Sequence, residues 1–207
     1  MKTRIIAQSD PIAAVATLEI IRSGGVVAVP TDTVYGVACA VDNPDAIKQL
    51  YLIKERDALK AIPVLVGTHR QSENLAADFS KAAKKLAERF WPGALTIIVE
   101  KNPVLPAELT IYPTVGLRMP NYAWLLELMQ ACGPLAATSA NISGAPSPAT
   151  AEEVLAQLDG RVELVIDGGR CEGGIPSTVV DCSQSQISIL REGGISAEDI
   201  LKTVSLN

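Results

Sequence analysis

The sequence predicts an α/β fold, a single domain over residues 1–207 built on a twisted mixed β-sheet flanked by helices. Three observations carry this. Short apolar runs bounded by Gly and Pro alternate with segments of helical periodicity along the whole chain. The length of 207 residues fits one core, because chains divide only beyond roughly 250–300 residues. With 48% apolar and 20% charged residues, the chain can bury such a core.

Asp10-Pro11 reads as a capping residue followed by proline at the first helical position. The helix then carries Val15, Leu18 and Ile21 and stops at Gly24-Gly25. Val26 to Val29, between Gly25 and Pro30, is a buried strand. Asn43-Pro44 opens a second helix through Ile47, Leu50 and Tyr51 toward Lys54. Ile62 to Val66 and Leu95 to Val99 are strands, separated by a helix from Ser80 to Phe90 that ends at Trp91-Pro92-Gly93. Val115 to Met119 and Leu135 to Thr138 follow as strands around a helix from Trp124 to Ala131. Thr150-Ala-Glu-Glu153 is a capping box for a helix to Leu158, closed by Gly160. Strands are expected at Val162 to Ile166, Ser177 to Cys182 and Ile187 to Leu190, then a last helix capped by Ser196. Asp167 to Pro176 is Gly-rich and reads as a mobile loop.

Composition narrows the function. Eight aromatic residues are too few for a base-stacking platform. A net charge of −5 is far from that of a dedicated nucleic-acid binder. The four cysteines lack CxxC spacing, which favours reduced thiols and a cytoplasmic location, and a single histidine, His69, removes multi-His metal sites, so no metal site is expected. No apolar run is long enough to span a bilayer, and no secretory segment is evident.

Five segments could carry chemistry, and each also admits a structural reading. Pro30-Thr-Asp-Thr-Val-Tyr-Gly36 gathers hydroxyls and a carboxylate at a strand end, or is a turn satisfying its own backbone. Lys54-x-Arg56 would diverge by about 200° on a helix but align on an extended exit, where two cations suit a phosphate chain. They could equally complement the helix dipole. Arg118 ends an apolar strand before Met119-Pro120, placed to clamp a carboxylate or simply to meet solvent. Ala136 to Ser147 alternates small residues and hydroxyls, which lets a ligand approach the backbone, or forms a polar turn. Ser177 to Asp181 and Ile189 to Gly194 form a hairpin with Arg191 at a strand end. Neither a GxxxxGK[ST] nor a GxGxxG motif occurs.

Together these segments resemble the YrdC-type threonylcarbamoyl-AMP synthase family. The residues carrying the resemblance are Pro-Thr-Asp-Thr-Val-Tyr-Gly (30–36), Lys54-x-Arg56, Trp91-Pro-Gly-Ala-Leu-Thr96, Val115-Gly-Leu-Arg-Met-Pro120, Ser139-Ala-Asn-Ile-Ser-Gly144, Ser177-Thr-Val-Val-Asp181 and Arg191-Glu-Gly. They run in this order from about Ser9 to Gly194.

The resemblance implies a basic concave cleft in which L-threonine, bicarbonate and ATP, with Mg2+, become threonylcarbamoyl-AMP and pyrophosphate. This is the first step toward N6-threonylcarbamoyladenosine in tRNA, completed by a transferase complex; whether tRNA is bound directly is left open. It implies Lys54 and Arg56 as catalytic. Around ATP it places Arg56, Lys60, Thr114, Ser139, Asn141, Ser147 and Arg191; around threonine, Thr33, Arg118, Ala137 and Ser177. Many relatives carry proline and histidine where this chain has Asp57 and Leu65, so threonine contacts from that strand are not carried over. The chain reads as the single-domain form. The alternatives are an RNA-binding module of the same fold and another carbamoyl-adenylate-forming enzyme.

Overall fold

The computed structural model describes residues 2–205. In chain order the elements are β1 (Arg4–Ala7), α1 (Ala13–Arg22), β2 (Val27–Val29), β3 (Gly36–Ala40), α2 (Pro44–Lys54), β4 (Val64–Leu65), α3 (His69–Leu75) and β5 (Ala76–Asp78). There follow α4 (Lys81–Phe90), β6 (Leu95–Lys101), β7 (Thr114–Arg118), α5 (Ala123–Cys132), β8 (Leu135–Ser139), α6 (Ala151–Leu158), β9 (Leu164–Asp167), β10 (Thr178–Asp181), β11 (Ser188–Arg191) and α7 (Ala197–Ser205). The strands form one mixed sheet in the order β1-β9-β2-β3-β8-β4-β7-β6-β10-β11, with β5 beside β6.

Helices cover both faces. Ala13, Ala16 and Ile21 of α1 and Leu125, Leu128 and Met129 of α5 pack on one face against Val27, Val29 and Ala38. On the other, Ile47 and Leu50 of α2, Leu86 of α4, Val154 and Leu158 of α6 and Ile200 of α7 meet Ala28, Val37 and Cys39. Burial on two sides explains why β2 reads as an unbroken apolar run, since neighbouring residues point to opposite helical layers. Among the described residues no helix is long and apolar enough to cross a membrane.

The caps at α2 and α6 form as expected. Asn43 accepts from the backbone N–H groups of Asp45 and Ala46, and Thr150 accepts from Glu153 N. Glu153 returns its carboxylate to Ala149 N rather than to the capping residue itself. The first helix departs from expectation. Asp10 accepts from Ile12 N in a local turn, so α1 starts only at Ala13. It buries Ala13, Ala16, Thr17 and Ile21, leaving Val15 56% exposed.

Among the described residues, β3, α3, β5, a short 3-10 helix over Ala107–Leu109, and β1, which adds to the sheet edge beside β9, were not expected. The Gly-rich segment is tied down rather than loose. Tyr35 Oη donates to Gly169 O at 2.7 Å and accepts from Gly168 N; Cys171 N donates to Ala149 O and Gly174 N to Thr33 O.

Candidate functional site

A cavity of about 330 Å3 opens over the middle of the sheet, within the range usual for small-molecule sites. Its wall comes from the loop between β2 and β3, the exit of α2, the strands β4, β6, β7 and β8, the Ser147 loop, and the start and end of the β10-β11 hairpin. Arg56, Arg118 and Arg191 line it, and no carboxylate does.

Of the residues singled out from the sequence, Thr33, Arg56, Arg118, Ala137, Ser139, Ser147, Ser177 and Arg191 all line this one cavity. They come from positions up to 158 residues apart in sequence, brought together by the strand order β3-β8-β4-β7-β6-β10-β11.

Lys54, Asn141, Lys60 and Thr114 do not line it, contrary to expectation. Glu55, at the end of α2, adopts a left-handed conformation with φ 51°, so Lys54 and Arg56 leave the helix in different directions. Lys54 turns inward and is 1% exposed. Its ammonium donates to the backbone oxygens of Ser139 and Asn141 and to Asn141 Oδ1, using all three of its N–H groups. Burial first, and then the charge of Arg56, draws the Lys54 pKa down to about 7.

Asn141 stands in the same cluster, 6% exposed. Its Oδ1 accepts from Ser139 Oγ at 2.5 Å and its amide donates to Ile142 O and Ala145 O. Lys54 and Asn141 therefore shape the loop after β8 from beneath. Lys60 is exposed; its carbonyl accepts from Arg56 Nε at 2.9 Å and from Tyr51 Oη at 3.4 Å, and its backbone N–H donates to Asp57 O. Thr114 sits at the far end of β7, opposite Glu100.

Arg56 is braced by Lys60 O and Ala61 O, both at 2.9 Å. Arg191 donates from Nε and Nη2 to Ser177 O at 3.0 and 2.8 Å, and more loosely to Ser177 Oγ at 3.3 Å. Ser177 Oγ also meets Thr96 Oγ1 at 2.8 Å. Burial lowers the pKa of all three guanidiniums, and the charge of Arg191 lowers those of Arg56 and Arg118 further. Three cations close enough to feel one another, without an acid in the wall, favour an anionic guest.

Arg118 is 7% exposed. Nε donates to Gly93 O at 3.1 Å, Nη1 to Thr33 Oγ1 at 2.9 Å and Nη2 to Asp32 Oδ1 at 2.6 Å. The Trp91-Pro-Gly segment thereby holds Arg118, with Gly93 N also donating to Met119 O.

The Thr31 hydroxyl proton can be assigned. Thr31 donates it to Val34 O at 2.7 Å and accepts from the backbone N–H groups of Thr33 and Val34, so it gives no proton to Thr33 across the 3.0 Å contact between the two hydroxyls. Thr33 Oγ1 accepts from Arg118, which leaves it a lone pair for a guest that donates.

Sequence reasoning missed Thr31, Leu65, Thr96 and Gly116, which line the cavity, and Asp32, which stands behind it on Arg118. Thr31, Asp32, Thr96 and Gly116 lay inside the quoted motifs, but only the fold shows which motif members reach the cavity wall.

Substituting Lys54 by Met is expected to lower stability by about 1–3 kcal/mol, because Ser139 O, Asn141 O and Asn141 Oδ1 lose their donor. Thermal unfolding measures this.

The fold and site define an α/β protein with an arginine-lined, hydroxyl-rich cleft at the centre of a mixed sheet. The chain belongs to the Sua5/YciO/YrdC family, whose model, described as telomere recombination, matches residues 19–193.

It is similar to the Bacillus subtilis protein named threonylcarbamoyl-AMP synthase, at 41% identity over 199 residues that cover 94% of this chain and 57% of that protein. The chain thus spans little more than half of that relative's length. A Mycobacterium tuberculosis relative is 36% identical over 93% of this chain and 89% of its own length. The crystal structure of Pyrococcus abyssi Sua5 complexed with L-threonine matches with a TM-score of 0.93 at 35% identity, covering 98% of this chain and 61% of that one.

Proposed function

We propose that this chain is an L-threonylcarbamoyladenylate synthase. It would join L-threonine, bicarbonate and MgATP into threonylcarbamoyl-AMP and pyrophosphate, for a transferase that modifies tRNA. The observation carrying this reading is the convergence of Arg56, Arg118, Arg191 and the hydroxyls of Thr33, Ser139, Ser147 and Ser177 on one acid-free cavity. Support comes from the shared name of the B. subtilis relative and the threonine held by the P. abyssi structure.

In this reading the threonine amine adds to CO2 derived from bicarbonate and releases a proton, giving a carbamate. A carbamate oxygen attacks the α-phosphorus of ATP, and the bond to the β-phosphate oxygen breaks as pyrophosphate leaves. The protein forms no covalent bond; its work is to position the reactants and offset charge.

Arg118 meets the threonine carboxylate with its two uncommitted N–H groups. Thr33, left with an accepting lone pair, takes the amine or hydroxyl end, and Ser177 stands beside it. Arg56 and Arg191 offset the triphosphate, while Ser139 and Ser147 face the nucleoside. Among the described residues no cluster of three His, Cys, Asp or Glu could hold a metal, and the cavity wall has none of these side chains. The residues therefore do not fit a resident Mg2+, and the ion would enter as part of the nucleotide substrate.

Selection of threonine over serine rests on one methyl group, worth about 1–3 kcal/mol, or roughly 10–200-fold. Modest leakage to serine is expected when product is quantified for each amino acid under the same conditions. Equal turnover of the two would contradict a methyl-sized pocket.

A further inference from the structure

Asp32 stands outside every role assigned so far. Its carboxylate does not line the cavity, yet Oδ1 lies 2.6 Å from Arg118 Nη2, with side chains only 14% and 8% exposed. Arg118 is anchored on each of its nitrogens by a different partner: Gly93 O, Thr33 Oγ1 and Asp32 Oδ1. One of the three partners is charged, and a charge-assisted bond is roughly twice as strong as a neutral one.

Three of five N–H groups are thereby used, and one remains on each terminal nitrogen. The neighbouring Thr33 Oγ1 accepts from the same guanidinium and takes no proton from Thr31, whose proton goes to Val34 O, so it keeps one accepting lone pair. The Asp32-Thr33 backbone is itself pinned. Gly174 N donates to Thr33 O at 2.8 Å, and Gly173 packs so closely that a Cβ there would lie 2.5 Å from Asp32 O.

We propose that Asp32 is a positioning residue for the amino-acid half of the site. Through its ion pair it fixes the roll of the Arg118 guanidinium about its long axis. The two remaining N–H groups and the free lone pair of Thr33 then present one fixed pattern, two donors beside one acceptor. That pattern complements an α-amino acid, which offers a carboxylate beside a donating nitrogen. Asp32 also neutralises one of three mutually repelling guanidiniums without placing an acid in the cavity wall, so the pocket keeps its attraction for anions. The proposal rests on Arg118 receiving the threonine carboxylate.

The experiment compares steady-state kinetics of the intact wild-type chain with Asp32→Asn, Asp32→Ala, Arg118→Lys and the double variant Asp32→Asn with Arg118→Lys. Asparagine keeps the shape and an accepting oxygen, so Asp32→Asn tests the charge even where Asp32→Ala does not fold.

Asp32→Asn should raise the threonine KM about tenfold, the loss of the charged bond's surplus over a neutral one. The ATP KM should stay within about twofold and kcat within about threefold. In the Arg118→Lys background the same change should add less than about twofold, because an ammonium keeps the charge beside Asp32 but has no planar fork whose roll Asp32 could fix.

Equal rises in both KM values, or a full tenfold added on Arg118→Lys, would overturn the proposal, as either marks a general structural effect. If Arg118→Lys alone leaves the threonine KM unchanged, the assignment of Arg118 to threonine falls, and Asp32 with it. If Arg118→Lys raises it and Asp32→Asn does not, only the positioning role falls.

Discussion

Arg56→Ala is expected to cut ATP-dependent pyrophosphate release by at least about tenfold with the fold intact. A hydrogen bond to a charged group is worth about 1.5–3 kcal/mol, which converts to roughly 10–150-fold in rate when it is made in the transition state. The stability cost should be small. Arg56 is half-buried and its partners are the carbonyls of Lys60 and Ala61, in an exposed turn where water can replace it. Its loss also relieves repulsion with Arg191. Circular dichroism and thermal unfolding should therefore match wild type to about 1 kcal/mol. Near-normal turnover would remove Arg56 from the site.

Arg118 gives the second large effect, with a different signature. Arg118→Ala should raise the threonine requirement more than the ATP requirement, and the reverse pattern would mean that the two subsites are exchanged. The alanine variant also strands the Asp32 carboxylate in a poorly solvated place, and breaking such a pair costs about 3–5 kcal/mol. Arg118→Lys is the cleaner companion, since it keeps the charge beside Asp32 but loses the planar fork. A threonine KM about tenfold or more above wild type is expected for it, with unfolding close to wild type. The two arginines thus separate by substrate: one variant read in nucleotide turnover, the other in amino-acid affinity.

Much of the architecture is legible wherever local chemistry decides it. Asn43-Pro44 and Thr150 mark helix starts because their side chains satisfy orphan N–H groups whatever the surroundings. Asp10-Pro11 misleads because the same side-chain chemistry also builds a turn, and the turn forms. The strand β3 hides because Gly36 to Ala40 is short, rich in small residues, and stabilised by pairing with β2 on one side and, on the other, with β8 far along the chain. The strand β5 is shorter still and exists only through β6.

The candidate site divides in the same way. Arg118, Ser177 and Arg191 end or adjoin strands whose direction the sequence shows, and all three reach the cavity. Lys54 does not: as the last residue of α2 it turns behind the loop after β8, and it is Arg56, beyond the left-handed backbone of the non-glycine Glu55, that reaches the cavity, a turn that no local pattern announces. Asp32 went unassigned because its partner lies 86 residues away. The signature pairs Lys54-x-Arg56 and Ser139-x-Asn141 are each divided by the fold. Each pair contributes one residue to the cavity wall and one to the hydrogen-bonded cluster behind it.

The most direct test of the synthase reading is pyrophosphate release from MgATP by the purified chain, with threonine and bicarbonate each supplied or omitted and the quenched mixture analysed by mass spectrometry. Release that requires both, together with a mass for threonylcarbamoyl-AMP, is the expected result. Folded protein that releases no pyrophosphate with all three present, or releases it equally without threonine, would contradict the account.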